Sequence, residues 1–376
     1  MMKNSIKPIA IHLPQFHPVP ENDAWWGKGF TEWTNVVKGV PRFEGHYQPH
    51  LPADLGFYDL RLAEARLAQE ALAKEYGVYG FCYYHYWFNG HRLLHEPLDR
   101  KLMNPKEDLP FMMCWANENW TRAWDGGDKQ ILLKQNYSEE DDRNHIRHLI
   151  PYFKDARYIR VNDKPIFAFY KPDLFPNMQR TLEIFREEAR HEGIELHLIW
   201  FERWIGWHGE DVNQMGFDAA IEFQPLSKSM KEFLEHRGTQ QPVYRKLVKK
   251  LNSYKRRVYK KLNLRVSPVK PKDQVISYPD FVDFDLQRKN PLQKCYPGVS
   301  PMWDNSSRRV HLNATILDGS TPEHFRRWYH GKADRFEGIA GDDRFIFINA
   351  WNEWAEGNHL EPCQRWGKAY LEALLP

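Results

Sequence analysis

The chain has 376 residues, a formal net charge of +3 and an aromatic-rich composition, with 15 Trp, 18 Tyr and 22 Phe. No stretch holds the roughly 20 consecutive apolar residues that cross a bilayer, and the opening "MMKNSIKPIAIHLPQFHP" lacks the apolar run and cleavage site of a signal peptide. These features, with four cysteines that form no C-x-x-C pair, predict a cytoplasmic protein with reduced thiols.

Eight short apolar runs, each closed by polar or aromatic residues, predict eight strands. They cover residues 9–13, 78–84, 111–116, 166–170, 196–201, 219–223, 295–303 and 345–350. The seventh run is the least regular, because Pro297 and Pro301 interrupt it and proline cannot donate a hydrogen bond to a neighbouring strand.

Amphipathic helices are predicted between most of these strands, at residues 59–77, 177–193, 321–336 and 363–375. The first ends at Gly77, and the third begins with Thr321 as N-cap and Pro322 at the first helical position. Strands that alternate with helices indicate a parallel sheet covered by helices, and the sequence contains no glycine-rich phosphate loop of an open nucleotide-binding sheet. We therefore predict that residues 1–376 form a single α/β domain, a (β/α)8 TIM barrel.

The segment between the sixth and seventh strands differs in charge from the rest of the chain. Residues 228–272 contain fifteen Lys or Arg against two Glu, and we predict a basic helical insertion at 228–290. Within it, residues 242–264 place apolar side chains three or four apart among lysines and arginines. Two interpretations are open: a helix that packs on the barrel, or a cationic amphipathic helix at the inner face of an anionic membrane.

Residues that close or follow the predicted strands share a chemistry, since they are mostly aromatic residues, amides, histidines and carboxylates. The strand ends carry the active site in (β/α)8 barrels, aromatic rings stack on sugar faces, and amides and carboxylates hydrogen-bond hydroxyl groups. The predicted substrate-binding residues are His12, His85, Trp87, Trp115, Asn117, Glu118, Tyr170, Glu202, Glu222, Trp303, Asp304, Trp351 and Asn352. A structural role is the alternative for single members: a tryptophan often packs, His12 and His85 fit core histidines, and Glu222 fits an internal ion pair.

Two glutamates three residues apart in "WNEWAEG", Glu353 and Glu356, follow the last predicted strand. Side chains three apart on a helical turn are neighbours, and retaining glycosidases hold two carboxyl groups about 5–5.5 Å apart. Apolar surroundings would raise the pKa of one acid and leave the other ionised, as acid–base catalysis requires. The alternative is a solvated first turn of a helix, where Glu suits the helix dipole, but the neighbouring tryptophans favour catalysis.

Eight motifs spread along nearly the whole chain point to one family. They are "LPQFHPVPENDAWWGKGFTEWTNV", "GHYQPHLPADLGFYDLR", "FCYYHYWFNG", "CWANENWTRAWDG", "IPYFKDARYIRVNDKPIF", "FDAAIEFQP", "MWDNSSRR" and "NAWNEWAEGNHLEP". They resemble the WbsX-like family, whose barrel is similar to that of glycoside hydrolase family 99. The likeness to family 99 rests chiefly on "NEWAEG", residues 352–357. It implies a retaining reaction on α-mannosides, in which Glu353 deprotonates the sugar 2-hydroxyl and Glu356 is the acid/base.

The resemblance and the Glu pair predict a carbohydrate-active enzyme that cleaves or transfers glycosidic bonds in bacterial surface polysaccharide metabolism, of O-antigen or capsule type. The expected partner is an oligo- or polysaccharide, free or lipid-linked, with no cofactor, no metal ion and no nucleic acid. The alternative is a nucleotide-sugar-dependent glycosyltransferase, the label that many members of the family carry, and "DFD" at 283–285 matches a metal-binding D-x-D. The intact Glu pair disfavours a sugar-binding protein without activity. Pro49 disfavours a metal hydrolase, because it spoils the helical spacing of His46 and His50.

Overall fold

The computed structural model of the chain describes residues 6–122, 127–203, 206, 212, 214–239, 273–289, 294–309, 313–336 and 343–376. Within the predicted insertion at 228–290, it therefore describes residues 228–239 and 273–289. The amphipathic stretch 242–264 lies outside the described residues, and both of its interpretations stay predictions.

Eight parallel strands form the barrel, and their bounds follow the predicted apolar runs. They are β1 (Lys7–His12), β2 (Gly80–Phe88), β3 (Phe111–Trp115), β4 (Lys164–Phe169), β5 (His197–Glu202), β6 (Ala219–Glu222), β7 (Cys295–Tyr296 and Gly298–Val299) and β8 (Phe345–Ile348). Each strand pairs in parallel with the next one along the chain, and β8 pairs with β1. The ring closes, and the predicted (β/α)8 barrel is confirmed.

The seventh strand is broken at Pro297, where the sequence predicts the least regular strand. Its first part pairs with β6 and its second part pairs with β8. The Pro297 carbonyl still accepts a hydrogen bond from Phe347 N at 2.9 Å. Gly298 approaches β6 so closely that a Cβ atom there would lie 1.9 Å from the Glu222 carbonyl oxygen, so only glycine fits.

Ten helices surround the barrel in the described part of the chain. They are α1 (Pro20–Trp26), α2 (Trp33–Val36), α3 (Ala63–Glu75), α4 (Glu96–Met103), α5 (Glu139–Phe153), α6 (Met178–His191), α7 (Lys228–Thr239), α8 (Tyr278–Gln287), α9 (Pro322–Ala333) and α10 (Ala369–Glu372). The four predicted helices are found as α3, α6, α9 and α10 with shorter bounds, and Thr321 caps α9 by accepting a hydrogen bond from His324 N. None of the described helices is both long and apolar enough to cross a membrane.

Short elements complete the described chain. Three 3₁₀ turns cover Pro172–Leu174, Asn305–Ser307 and Trp354–Glu356. Short strands pair as His91–Leu93 with the end of β2, Trp120–Arg122 with Gly127–Leu133, Arg160–Val161 with β4, Gln274–Ser277 with Thr315–Asp318, and Asn352–Glu353 with Asn358–His359. Those that follow β2, β3, β7 and β8 lie at the C-terminal end of the barrel, where (β/α)8 enzymes hold their active sites.

Side chains alternate between the inside of the barrel and its helical layer, because successive residues of a strand point to opposite faces. At the end of β2, Tyr84 and Tyr86 face the cleft inside the barrel mouth. His85 and Trp87, which lie between and after them, stack instead against His145 of α5. This alternation decides which strand-end residues can reach a ligand.

Candidate active site

A cleft of about 1130 Å³, measured with its open mouth, lies at the C-terminal end of the barrel. Its wall combines aromatic rings with a few convergent charged and amide groups, a composition typical of small-molecule sites. The cleft lining includes Gln15, Tyr84, Tyr86, Glu118, Tyr170, Trp303, Arg308, Arg309, Glu353 and Glu356.

The loop after β8 presents the two glutamates from a fixed hairpin. Asn352 ties the hairpin to the end of β1, since its Oδ1 accepts from Leu13 N at 2.8 Å and its Nδ2 donates to Leu13 O at 3.0 Å. Trp354 stacks on His359 with ring centroids 3.7 Å apart and donates its indole N–H to Glu361 at 2.6 Å. These buried contacts hold the backbone on both sides of the glutamates, so the fold sets their positions.

The turn that carries Glu356 ends at Gly357, whose φ of 55° is left-handed. Asp304 N donates to Glu356 O at 2.7 Å, and a Cβ atom at residue 357 would lie 3.1 Å from the Asp304 Cβ and carbonyl oxygen. Glycine is therefore needed both for conformation and for space. The Asp304 carboxylate in turn contacts His46 Nε2 at 2.7 Å and accepts from Gln48 Nε2 at 2.5 Å, so it supports this turn.

One guanidinium group joins the two predicted catalytic glutamates to a third. Arg308 Nη2 donates to Glu353 Oε1 at 2.7 Å, and Arg308 Nη1 lies 3.0 Å from Glu356 Oε1. Nε and Nη2 of Arg308 also donate to Glu32 Oε1, at 2.9 and 2.8 Å. The side chains of Glu32, Arg308, Glu353 and Glu356 are 1%, 10%, 9% and 23% exposed, so Glu356 is the one most open to the cleft.

The titration of the two cleft glutamates is shifted by their surroundings. Burial raises the pKa of Glu353 well above its usual range; Arg308 opposes this rise, and repulsion from Glu356 and Glu32 adds to it. Burial also raises the pKa of Glu356, again against the attraction of Arg308. Because the two carboxyl groups share one guanidinium, they titrate as a coupled pair.

Aromatic rings from three elements line the same cleft. Tyr84 and Tyr86 come from β2, Tyr170 follows β4, and Trp303 follows β7. Gln15 donates its amide N–H to the Tyr86 hydroxyl at 2.8 Å. Broad apolar rings with hydroxyl and amide groups at their edges match the faces and hydroxyls of a sugar ring.

Five of the fifteen predicted site residues line this cleft: Glu118, Tyr170, Trp303, Glu353 and Glu356. The structure thus brings the predicted catalytic pair to a ligand-accessible wall, while its catalytic role stays a prediction. The other ten lie elsewhere, and their predicted place at the cleft needs correction: His12, His85, Trp87, Trp115, Asn117, Glu202, Glu222, Asp304, Trp351 and Asn352.

Strand alternation explains the placement of four of these ten. His12 contacts a glutamine of α3 at 3.1 Å, and His85, Trp87 and Trp115 pack around His145 of α5. Burial lowers the pKa of His12 to about 3 and that of His85 well below its usual value. Both are neutral core histidines, which is the structural alternative that the sequence leaves open.

Glu202 and Glu222 end β5 and β6 but also point to the helical layer. Glu222 accepts from Arg288 Nη1 at 3.2 Å and from Lys332 Nζ at 2.7 Å, so it forms an internal ion pair. Glu202 is fully buried, and burial, followed by repulsion from Glu222, raises its pKa to about 7. Glu222 thus connects β6 to Lys332 of α9, and Glu202 accepts a hydrogen bond from Lys228 N, at the start of α7, at 3.5 Å.

The remaining misplaced residues support loops. Asn117 fixes the chain after β4, since its Nδ2 donates to Lys171 O at 2.7 Å and its Oδ1 accepts from Lys171 N at 2.8 Å. Asn352 and Asp304 hold the glutamate hairpin, as described above. Trp351 is completely buried. These side chains hydrogen-bond backbone or pack, and they shape the cleft without facing it.

Sequence reasoning misses Glu32, Tyr84, Tyr86 and Arg308. Tyr84 and Tyr86 could have been found by applying the two-residue period of a strand to β2, because they alternate with the predicted His85. Glu32 and Arg308 stand within the quoted motifs, but they lie on loops, where no periodicity singles them out.

No group of three or more His, Cys, Asp or Glu side chains suited to a metal ion occurs in the described ranges. The two aspartates of the D-x-D match lie on α8. There Asp283 pairs with Arg327 at 2.7 Å and Asp285 pairs with Lys332 at 2.9 Å. Their charges are thus taken up by ion pairs with α9.

Comparison with known proteins gives one family. The family model described as "Glycosyltransferase WbsX" matches residues 8–374. Two proteins of Xanthomonas campestris pv. campestris, strains B100 and ATCC 33913, both described as "Uncharacterized protein WxcX", are 40% identical over 377 and 378 residues. These alignments cover 97% of this chain and 48% of the relatives, so the chain spans about half the length of the curated relatives it matches.

Solved structures share the fold at low sequence identity. A protein titled "Glycoside hydrolase-like protein" has a TM-score of 0.57 and 13% identity, covering 100% of this chain and 94% of that one. The GH99 endo-α-mannosidase from Bacteroides thetaiotaomicron has a TM-score of 0.55 and 12% identity, covering 98% of this chain and 94% of the enzyme. At this identity the likeness shows the fold alone, a (β/α)8 barrel.

Proposed function

The chain belongs to the family described as Glycosyltransferase WbsX, a carbohydrate-active family, and we propose that it is a retaining glycosidase or transglycosylase that uses Glu353 and Glu356. One observation carries this proposal. Both glutamates place a carboxyl oxygen within 3.0 Å of the Arg308 guanidinium, at a cleft that follows the last strand of the barrel. Two carboxyl groups held close together at a cleft are the chemical requirement for hydrolysis with retention.

The resemblance of "NEWAEG" to glycoside hydrolase family 99 implies the roles of the two glutamates. Glu353, the less exposed, is the base: it takes the proton of the sugar 2-hydroxyl, and the 2-oxygen bonds to C1. Glu356, the more exposed, is the acid: it protonates the leaving oxygen as the bond from C1 to that oxygen breaks. Water or a second sugar hydroxyl then attacks C1 as the bond from C1 to the 2-oxygen breaks. Glu356 takes the proton of the attacking group, and Glu353 returns a proton to the 2-oxygen. Two inversions at C1 give net retention.

The aromatic wall and Glu118 would bind the sugar. Tyr170 and Trp303 offer flat apolar faces, and Glu118 offers carboxylate oxygens to hydroxyl groups while it is paired with Lys171. The open mouth of the cleft suits an extended chain of sugars. We propose bacterial surface oligo- or polysaccharide, free or lipid-linked, as the substrate.

The stereochemistry of the product tests this proposal. The purified protein is incubated with surface polysaccharides and a panel of nitrophenyl glycosides that includes α-mannosides, and the products are followed by proton NMR. We expect the first product to keep the anomeric configuration of the substrate without any nucleotide. The Glu353→Gln/Glu356→Gln double variant, prepared identically, controls for contaminating glycosidases. A product of inverted configuration would contradict the proposed mechanism.

A nucleotide-sugar-dependent glycosyltransferase is the second candidate, favoured by the description of the family. Its sugar donor would need a site for a nucleoside diphosphate. A ligand that binds only the folded state raises the melting temperature, so UDP and GDP are added with and without Mg²⁺ or Mn²⁺. We expect no shift; a saturable shift would favour the glycosyltransferase.

A further inference from the structure

A third carboxylate, Glu32, lies behind Arg308 and has no part in a mechanism with two glutamates. It directly precedes α2, and its Oε1 accepts from Arg308 at 2.8 and 2.9 Å and from Asn35 Nδ2 at 3.3 Å. Its other oxygen, Oε2, is buried and has no hydrogen-bond partner among the described residues. A carboxylate that is 1% exposed is costly unless opposite charge compensates it.

The charges that act most strongly on the glutamate pair do not balance. The groups concerned, called the Arg308 network below, are Glu32, Arg308, Arg309, Glu353 and Glu356; Arg309 belongs because its charge acts on Glu356. Within this network, two guanidinium groups meet three carboxylates, so one negative charge is left over. Among the other charged groups near the cleft, Glu118 pairs with Lys171, and Arg203 lies over the Tyr170 ring, 4.6 Å from its centroid. Tyr86 and Tyr170 also face the network, and burial raises the pKa of both phenols, so they stay neutral. One bound proton would make the network neutral.

We propose that Glu32 and Arg308 are positioning residues, and that the Arg308 network holds one proton at neutral pH, shared between Glu353 and Glu356. Arg308 directs Nη2 to Glu353 and Nη1 to Glu356, so each glutamate keeps its contact with the guanidinium whichever of them is ionised. Glu32 binds Nε and Nη2 of the same guanidinium and thereby fixes the direction of the fork. The negative charge of Glu32 also keeps the proton in the network. Without that charge, two guanidinium groups would face two carboxylates, and the network would be neutral with no proton bound.

The role of this arrangement in catalysis rests on the proposed function. In the first step Glu353 gains a proton from the sugar and Glu356 gives one to the leaving oxygen, so the total charge of the Arg308 network does not change. The negative charge moves from Glu353, at Nη2 of Arg308, to Glu356, at Nη1. A preorganised partner that serves both states avoids reorganisation during the reaction.

Infrared spectroscopy measures how many carboxyl groups are protonated, and it needs no substrate. Protonated carboxyl groups and carboxylates absorb at different infrared frequencies. Spectra are recorded between about pH 5 and about pH 9, which covers the pKa values that buried carboxyl groups reach. Subtracting the spectrum of the Glu353→Gln/Glu356→Gln double variant from that of wild type isolates the cleft pair. We expect one protonated carboxyl per chain at neutral pH. A count of none or of two would overturn the proposal.

The variants of Glu32 test its positioning role. In Glu32→Gln the protonated carboxyl should be lost at neutral pH and titrate at lower pH, whereas Glu32→Asp, which keeps the charge, should retain it. Glu188→Gln is the matched control, because Glu188 of α6 is a carboxylate with an 8% exposed side chain, held by Arg143 at 3.0 Å and Arg147 at 2.9 Å outside the network. A cleft signal in Glu32→Gln equal to that of the control would overturn the role of Glu32. Absence of glycosidase activity would refute the proposed function but leave this count standing.

Discussion

Arg66 and Arg308 are both buried and hold carboxylates, but their surroundings differ. Arg66 binds both oxygens of Glu107, before β3 begins, so one cation meets one anion. Arg308 meets three carboxylates at the cleft. Breaking a pair of the first kind leaves an unpaired buried charge, which typically costs about 3–5 kcal/mol. Removing Glu32 still leaves Arg308 with two partners, so we infer that the cleft tolerates a change of charge that the Arg66 pair does not.

Glu202 gives a pH-dependent prediction. Burial, followed by repulsion from Glu222, raises its pKa to about 7, against about 4.3 in an unfolded chain. Between these values the folded state binds the proton more readily, so the stabilisation is present at low pH and is lost as pH rises through about 7. The unfolding free energy of wild type relative to Glu202→Gln should therefore fall by about 2–3 kcal/mol between about pH 5 and about pH 8.

Urea unfolding of both proteins at the two pH values measures this difference. The conservative amide keeps the shape of the side chain, so packing is matched. Equal changes in wild type and Glu202→Gln would mean that Glu202 titrates normally in the folded protein.

At the scale of elements, the apolar runs predict the strands because a buried parallel strand needs apolar residues on both faces. Even the break at Pro297 could be predicted, since proline lacks the N–H that a strand donates. Helix α5 could not: its buried face includes Asp141, Asp142 and His145, which hide the apolar period that reveals α3 and α6. Because polar residues occupy part of the buried face of α5, the sequence lacks the apolar periodicity from which this helix could be predicted.

The candidate site is predictable only where a local pattern exists. The "NEWAEG" turn places both glutamates at the cleft, because it follows a clear strand and ends at a glycine. Side-chain direction at strand ends needs the two-residue period, which separates Tyr84 from His85. The contact of Arg308 with Glu32 spans 276 positions and forms only when the barrel closes, so no local pattern reveals it.

Gly357 provides a prediction for the turn. Gly357→Ala must adopt a left-handed φ of 55° and also place a Cβ atom 3.1 Å from Asp304, so we expect a lower melting temperature and reduced activity. Gly367→Ala is the matched control, because φ is 50° there and nothing lies within 4 Å of the new Cβ. Calorimetry should show the larger loss for Gly357→Ala. Equal losses would mean that the approach of Asp304 does not constrain the turn.

At the scale of the whole molecule, the barrel is a frame that very different sequences share. The GH99 endo-α-mannosidase from Bacteroides thetaiotaomicron superposes with a TM-score of 0.55 at 12% identity. Such a frame fixes where the strand ends converge, while the chemistry depends on the side chains placed there. Under the proposed function, the choice of sugar would therefore depend on the cleft residues of this chain, among them Tyr84, Glu118 and Trp303.

The basic stretch 242–264, which lies outside the described residues, carries a proposal about a membrane partner. If it forms the predicted cationic amphipathic helix, each Lys or Arg near anionic lipid contributes about 1 kcal/mol to binding. Liposome flotation should then show binding that requires anionic lipid, weakens with salt and disappears when residues 242–264 are deleted. Equal recovery with neutral and anionic liposomes would leave packing on the barrel as the role of this stretch.

The claim that Glu353 and Glu356 catalyse glycosidic bond cleavage or transfer is tested most directly by turnover of Glu356→Gln on the substrate that wild type accepts. The amide keeps the size of the side chain but cannot give or take the proton, so turnover should fall by about 10² to 10⁴, the usual contribution of general acid–base catalysis. Circular dichroism confirms that the variant is folded before the rates are compared. Turnover of folded Glu356→Gln close to that of wild type would contradict the account.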